Sequence, residues 1–457
     1  MRQSCLKFYS WIKNNPLILM IFLASTAFFL IQHWFIWSWD YSVYILNAKY
    51  WLSNGVYFEM LRPPIASFVM GVLHFVFGWK GVEYFYLILV SVLFAVSSVK
   101  LADFFKINKE LFYLLELSPF VLLAGQYAGT ELLSLALLQL GIIVLSGNKS
   151  GLLFGLASLV RYDNLIYVFM LFFKKDSFAK LKDLIVRIFF FLIPIVIWLV
   201  FNYFAFGSFW ASIGDSYAVN VKLRPYVLNF NAVFDFLKVI GWYAPFFVIG
   251  LWKSRKFEKK LLLILIAFAV LSIISYLKTP WKETRYLFNF AMPVAFFTTL
   301  AFEKILKNKK HILVFILLLN LGIAACQLLP MDNRERIEYY TGFIPKLDCA
   351  CASNVWVVYD WLGVPCEPAP RKQFLDEYIN EGYKVLFFTN QESDYVKNET
   401  FLSDKPILEQ GSDYYLIGNS SVCKTITNVR YSYLEGYSKI EPLSYCESLF
   451  GSLCKLV

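Results

Sequence analysis

Residues 37–64 read "WSWDYSVYILNAKYWLSNGVYFEMLRPP" and follow a long, mostly apolar run. A run of about twenty apolar residues is what an α-helix needs to cross hydrocarbon, so the chain leaves a membrane at Asp40. Over residues 41–54, Tyr41, Tyr44, Ile45, Ala48, Trp51 and Leu52 fall on one helical face, with Ser42, Lys49 and Ser53 on another. That is the pattern of a helix lying in the membrane interface. Glu59, Arg62 and the pair Pro63-Pro64 then close a large, structured first outer loop.

Composition extends this reading to the whole chain. Of 457 residues, 58% are hydrophobic and 17% charged, against roughly 25% charged in soluble domains. Further apolar runs recur as far as Leu329, and none is followed by a signal-cleavage pattern, so the first run reads as a retained anchor. The net charge of +10 is unevenly spread: 31 Lys and Arg face 15 Asp and Glu up to Pro330, and 12 face 18 beyond it. Basic connectors of a membrane protein collect Lys and Arg for topological reasons, which accounts for the positive balance without nucleic acid.

Those connectors orient the chain. The N-terminus, "KLADFFKINK" from Lys100, "SGNKSG" from Ser146, "KKDSFAKLKD" from Lys174, "KSRKFEKK" from Lys253 and "EKILKNKK" from Glu303 are expected on the cytoplasmic side. An odd number of crossings must then separate Asp40 from Lys100. The span over residues 83–99 supplies one, so the segment Ile65–Gly78 is expected to dip into the outer interface. Between Ser146 and Lys174, "GLLFGLASLVRYDNLIYVFMLFF" carries Arg161 and Asp163 at its middle. A single helix would hold both charges at the bilayer centre, at about 2.5–3.5 kcal/mol each, so a hairpin of two short helices is expected. The pattern predicts roughly eleven membrane helices over residues 1–330.

Beyond residue 330 the character changes. "NVWVVYDWL", "YKVLFFTN" and "DYYLIGN" read as short buried strands, and "RKQFLDEYINEG" as a helix with a glycine stop. Residues 331–457 are thus expected to form a small extracytoplasmic α/β domain. Six of the eight cysteines lie here: Cys349, Cys351, Cys366, Cys423, Cys446 and Cys454. An even number in a compact domain suggests disulfides and an oxidising compartment, and paired C-x-x-C knuckles for zinc are missing. The pairing stays open.

Ionisable residues at a membrane edge are costly unless paired, which makes them functional candidates. Asp40, Glu59 and Glu131 are the acids of interest on the outer side. Convergent carboxylates could hold a hard divalent cation such as Mg, Mn or Zn, or one could act as general base. Asp40 also suits a helix start. Arg62, Arg161 and Arg285 each sit by a turn or helix end where a lipid phosphate would lie, and arginine binds phosphate through two parallel donors.

The order of these features resembles the GT-C membrane glycosyltransferases, in particular the branch of protein O-mannosyltransferases and lipid A aminoarabinose transferases. Their acid in the first outer loop corresponds to Asp40, and their "Tyr-Phe-Glu-Lys-Pro-Pro"-like segment to "YFEMLRPP", with two residues inserted and Arg62 in place of Lys. "GQYAGTELL" is similar to the turn before the family's second acid, with Glu131 for Asp. "GLASLVRYDNL" and "KETRYLFNFAMP" resemble its Gly-x-Ala hairpin and its late Arg-Tyr segment. The resemblance implies transfer of a sugar, with inversion, from a polyprenyl (dolichyl or undecaprenyl) phosphate carrier to a hydroxyl of a glycan, lipid or protein on the extracytoplasmic side. It makes Asp40 the base and Arg62, Arg161 and Arg285 the phosphate partners, with Glu59 and Glu131 as candidate metal ligands. The aromatic connector with Trp210, Asp215, Tyr217 and Arg224 is a candidate acceptor loop. A transporter or flippase of a lipid-linked or anionic solute is the rival reading; it predicts pseudo-repeated halves, and the sequence has no repeat.

Overall fold

Mainly helical, as the apolar runs require, the chain is described by a computed structural model over residues 15–174, 178–218, 220, 231–279, 282–303, 310–370, 374–389, 402, 404–419, 423–426 and 429–431. Its contacts divide into two units. One takes the chain up to Trp34 and Leu61–Met331; the other joins Phe35–Met60 to Asp332–Ser432.

In the first unit, α1 (Pro16–Phe35) opens the bundle. Later come α3 (Pro64–Phe105), α4 (Lys109–Glu116), α5 (Pro119–Ala124), α6 (Glu131–Ile143), α7 (Lys149–Val160) and a 3-10 helix over Tyr162–Phe172. They are followed by α8 (Leu181–Phe206), α9 (Ala211–Tyr217), α10 (Asn231–Ile240), α11 (Ala244–Lys253), α12 (Lys259–Lys278), a second long 3-10 helix Thr284–Phe290, α13 (Ala291–Phe302) and α14 (Lys310–Leu328). Among the described residues six helical stretches are long and apolar enough to cross a membrane: Pro16–Phe35, Pro64–Phe105, Leu181–Phe206, Ala232–Lys256, Lys259–Lys278 and one starting at His311. The protein is a polytopic membrane protein. Residues 109–124, Glu131–Ile143, Lys149–Val160, Tyr162–Phe172 and 284–302 are shorter or broken helical stretches that complete the bundle.

The breaks have local causes. Pro63 and Pro64 start α3, where a missing N–H costs nothing. Gly78 interrupts that 42-residue helix with φ 64°, a left-handed value that suits glycine. The interruption falls where the expected dip of residues 65–78 ends. Pro119 separates α4 from α5, and Ser118 recaps the chain by accepting from the N–H of Val121 at 3.3 Å. The first arm of the charged hairpin, α7, packs tightly on α8. A Cβ on Gly151 would come within 2.1 Å of the Arg187 carbonyl, and one on Gly155 within 2.4 Å of that of Phe191. Small residues four apart thus let two backbones touch, the usual route to close helix packing in lipid.

The second unit contains α2 (Trp39–Trp51), β1 (Tyr57–Glu59) and α15 (Arg334–Thr341), then β2 (Cys351–Ser353), α16 (Trp356–Trp361), β3 (Cys366–Pro368), α17 (Leu375–Asn380), β4 (Lys384–Phe388), β5 (Ile407–Gln410), β6 (Tyr414–Ile417) and β7 (Val429–Tyr431). Five strands form one sheet in the order β3-β2-β4-β6-β5, with β2 parallel to β3 and β4, and β6 antiparallel to β4 and β5. Alternation along the strands feeds two cores: Cys351, Leu386 and Phe388 on one face, Ala352, Val385 and Phe387 on the other. Separately, β1 pairs in parallel with β7, Tyr57 opposite Val429 and Glu59 opposite Tyr431. Disulfides join Cys349 to Cys423 and Cys351 to Cys366, the second across the β2–β3 register. Cys446 and Cys454 lie outside the described residues.

Two expectations need correction here. "NVWVVYDWL" holds a short helix, α16, rather than a strand. Asn354 ends β2 by exchanging both side-chain hydrogen bonds with the backbone of Phe388, at 2.8 and 3.1 Å, and the following apolar residues turn inward as a helix. A short apolar run fits either state, and only its partners decide. Nor is α2 two-faced: every residue from Tyr41 to Ala48 is buried. Val43 and Leu46 pack with Tyr57 and Val357, so α2 is a core helix of the α/β unit.

Candidate functional site

The tip of the α7 hairpin gathers charge. Arg161 stands in extended backbone between α7 and the 3-10 helix, which frees its side chain from either helix. Its Nη1 donates to Glu131 Oε1 at 2.5 Å, while Nε and Nη2 donate to the two oxygens of Asp163 at 3.2 and 3.4 Å. Glu131 is the first residue of α6, where an acid is favoured by the helix dipole, and its side chain is 1% exposed. Its second oxygen accepts from Thr130 Oγ1 at 3.3 Å. A guanidinium carries five N–H donors. Three are engaged by these acids, leaving two among the described residues for a ligand.

Arg285 joins the same cluster through an aromatic ring. The guanidinium carbons of Arg161 and Arg285 each lie 5.7 Å from the centroid of Tyr286, within range of cation–π attraction. Arg285 Nε also pairs with Glu283 Oε2 at 2.5 Å. Around this core, neutral polar groups lock the backbone. Asn164 donates to Ser134 Oγ at 2.6 Å and to the Ala157 carbonyl at 2.8 Å, and accepts from Asn289 at 3.0 Å. The hydroxyls of Tyr162 and Ser212 share a hydrogen bond of 2.7 Å, and Trp198 Nε1 donates to Tyr162 at 2.8 Å. Through Ser212 the short helix α9 is tied to the hairpin tip.

The remaining candidates stand as follows. Trp210 precedes α9, Asp215 is fully buried within it, and Tyr217 ends it; Arg224 lies outside the described residues. Arg62 belongs to the helical unit, just before the prolines that start α3. Asp40 and Glu59 belong to the α/β unit. Asp40 occupies the first turn of α2, partly exposed, with Ser38 at the cap position. Glu59 is fully buried at the end of β1. Asn47 of α2 holds its backbone at both ends, accepting from its N–H at 2.8 Å and donating to its carbonyl at 3.0 Å, and Tyr57 donates to its carboxylate at 3.3 Å.

For Glu131 a metal is a poor fit. A hard cation wants several oxygens turned to one open position, whereas both oxygens here accept hydrogen bonds, one from a guanidinium. Among the described residues no group of three or more His, Cys, Asp or Glu could hold an ion. Asp163, Tyr162 and Tyr286 are further members of this cluster, without a role in the sequence reading. Each is adjacent, or nearly so, to an arginine already singled out, and that adjacency was the available signal.

No protein-family model and no curated protein sequence matches the chain. Among solved structures it is similar to the crystal structure of ArnT from Cupriavidus metallidurans bound to undecaprenyl phosphate, with a TM-score of 0.62 and 10% identity. The likeness covers 88% of this chain and 98% of that one. The chain therefore shares the fold of that structure.

Proposed function

We propose that the chain is an integral membrane glycosyltransferase that moves a sugar from a polyprenyl-phosphate carrier to an acceptor hydroxyl on the extracytoplasmic side, with inversion. One observation carries the reading. A fold like that of a protein crystallised with undecaprenyl phosphate holds two arginines, Arg161 and Arg285, about one tyrosine ring, with donors left on Arg161. In the reaction, the acceptor oxygen bonds to the anomeric carbon while the bond from that carbon to the phosphate oxygen breaks, its electron pair leaving on the phosphate. Arg161 and Arg285 stabilise the charge that develops there, a contribution of about 2.7–4 kcal/mol where one well-aimed donor has been removed. Arg62 is assigned to the same phosphate by its position in the family-like segment.

Asp40 takes the acceptor proton as general base. Glu131 and Asp163 hold the Arg161 guanidinium in orientation, so Glu131 serves the arginine rather than an ion. The N-terminus lies on the cytoplasmic side and the α/β unit outside, as the basic connectors suggest. The test is reconstitution in liposomes with a panel of undecaprenyl- and dolichyl-phosphate sugars, following release of the free polyprenyl phosphate. Asp40→Asn is expected to lower turnover by about 10²–10⁴-fold while leaving carrier binding intact. Full turnover by the folded variant would remove Asp40 from the mechanism, and no release from any carrier would remove the enzyme reading itself.

A further inference from the structure

We infer that Asp235 is the positioning residue that fixes Arg285, one carboxylate closing both ends of the connector that delivers it. The inference rests on the phosphate role proposed above. Asp235 lies on α10, 50 residues before Arg285, and its side chain is 7% exposed. Its Oδ2 accepts from the hydroxyl of Tyr276 on α12 at 2.8 Å, and its Oδ1 accepts from Thr284 Oγ1 at 2.7 Å. Lys238, one turn along α10, pairs with this carboxylate at 3.4 Å and is mostly exposed.

Tyr276 and Thr284 bracket the connector between α12 and the 3-10 helix of residues 284–290. Thr284 is the residue before Arg285, so the hydroxyl held by Asp235 sits one peptide from the arginine's own backbone. The same junction is packed from the side by Phe236, whose ring meets Tyr276 at 5.7 Å and Phe290 at 5.6 Å. The connector is further secured on α12, where Lys282 Nζ donates to the carbonyls of Tyr276, Leu277 and Thr279 at 3.0, 2.9 and 2.5 Å. That contact fixes the helix end, and Asp235 holds the start of the 3-10 helix through Thr284. Burying a carboxylate is expensive, and this one has two short hydroxyl donors. Its place at the root of the Arg285 segment gives that expense a purpose: holding the guanidinium where a phosphate would meet it.

The experiment is a double-mutant cycle in nanodiscs, with undecaprenyl phosphate as the probe. Asp235→Ala is expected to weaken its binding by about tenfold, as loss of charge-assisted hydrogen bonds does. Tyr276→Phe and Thr284→Val each remove one arm and fall in between. Asp235→Asn, which can still bond both hydroxyls, restores most of the affinity. In an Arg285→Ala background Asp235→Ala should add little, because the residue acts through the arginine. Full additivity, or a folded Asp235→Ala protein with wild-type affinity, overturns the inference. Amide hydrogen exchange over residues 284–290 decides separately: Asp235→Ala should accelerate it by about tenfold, and unchanged exchange overturns the pin. A wild-type protein that ignores both undecaprenyl and dolichyl phosphate would defeat the proposed function, while the exchange result would still judge Asp235.

Discussion

Two buried carboxylates, one in each unit, show how different partners give the same burial opposite meanings. Glu131 in the helical unit faces a guanidinium that a second acid also holds. Asp360 in α16 of the α/β unit is also buried, yet its Oδ1 receives the N–H of Cys366 at 3.3 Å and its Oδ2 has no hydrogen-bond partner among the described residues. Burial pushes the Asp360 carboxyl well above the usual carboxylate range, and Glu367 adds to that; the Cys366 N–H and Lys49 pull the other way. An acid built into an ionic cluster has a charge to use. An acid held by one backbone donor is instead pushed toward its neutral form by its burial.

The comparison breaks or sharpens at three substitutions. Arg161→Ala strands Glu131 and Asp163 without their cation. It should cost about 3–5 kcal/mol of stability and about 10²–10³-fold in polyprenyl phosphate release, read by thermal unfolding and by the liposome assay. Arg161→Lys keeps the charge but loses the fork, so it should recover much of the stability and little of the rate. Equal rescue of both would mean that charge alone matters at this position. Glu131→Gln should fall between: the guanidinium keeps Asp163 and an amide oxygen, and the rate loss should be about tenfold.

The smallest effect belongs to Asp360→Asn. With a raised native value, the folded state binds more protons than the unfolded chain from about pH 4 upward, so this acid's contribution to stability falls as pH rises. Replacing it by Asn removes that slope. The variant's midpoint should gain on the wild type as pH rises above about 4, followed by tryptophan fluorescence. Parallel midpoints would show that Asp360 finds a partner for its charge.

Legibility in the sequence followed the range of the interactions. Hydropathy and the basic connectors disclosed the bundle, because each helix carries its own evidence. The "RYD" tip is equally readable, since two charges cannot stay in the middle of a span, and Arg161 and Glu131 stand out by residue type and place before any contact between them is known. What stayed hidden was long-range. Nothing near Asp235 announces a hydroxyl 49 positions away. The union of residues 35–60 with the tail, and the choice of Cys349–Cys423 and Cys351–Cys366 among the possible pairings, depend on a sheet that no local pattern describes. α16 reads as a strand in the sequence because its valines suit one, and the bonds of Asn354 to Phe388 mark where the strand stops.

The pairing of β1 with β7 sets the timetable of biosynthesis. Residues 57–59 emerge early, but their partner at residues 429–431 comes more than 360 positions later. At about 5–20 residues per second, β1 waits roughly 20–75 s for it, while the intervening helices are being inserted. Through that interval it presents an unpaired edge, the kind of surface to which chaperones bind and at which strands mispair. A ribosome that stalls after α14 would thus leave β1 without its partner strand.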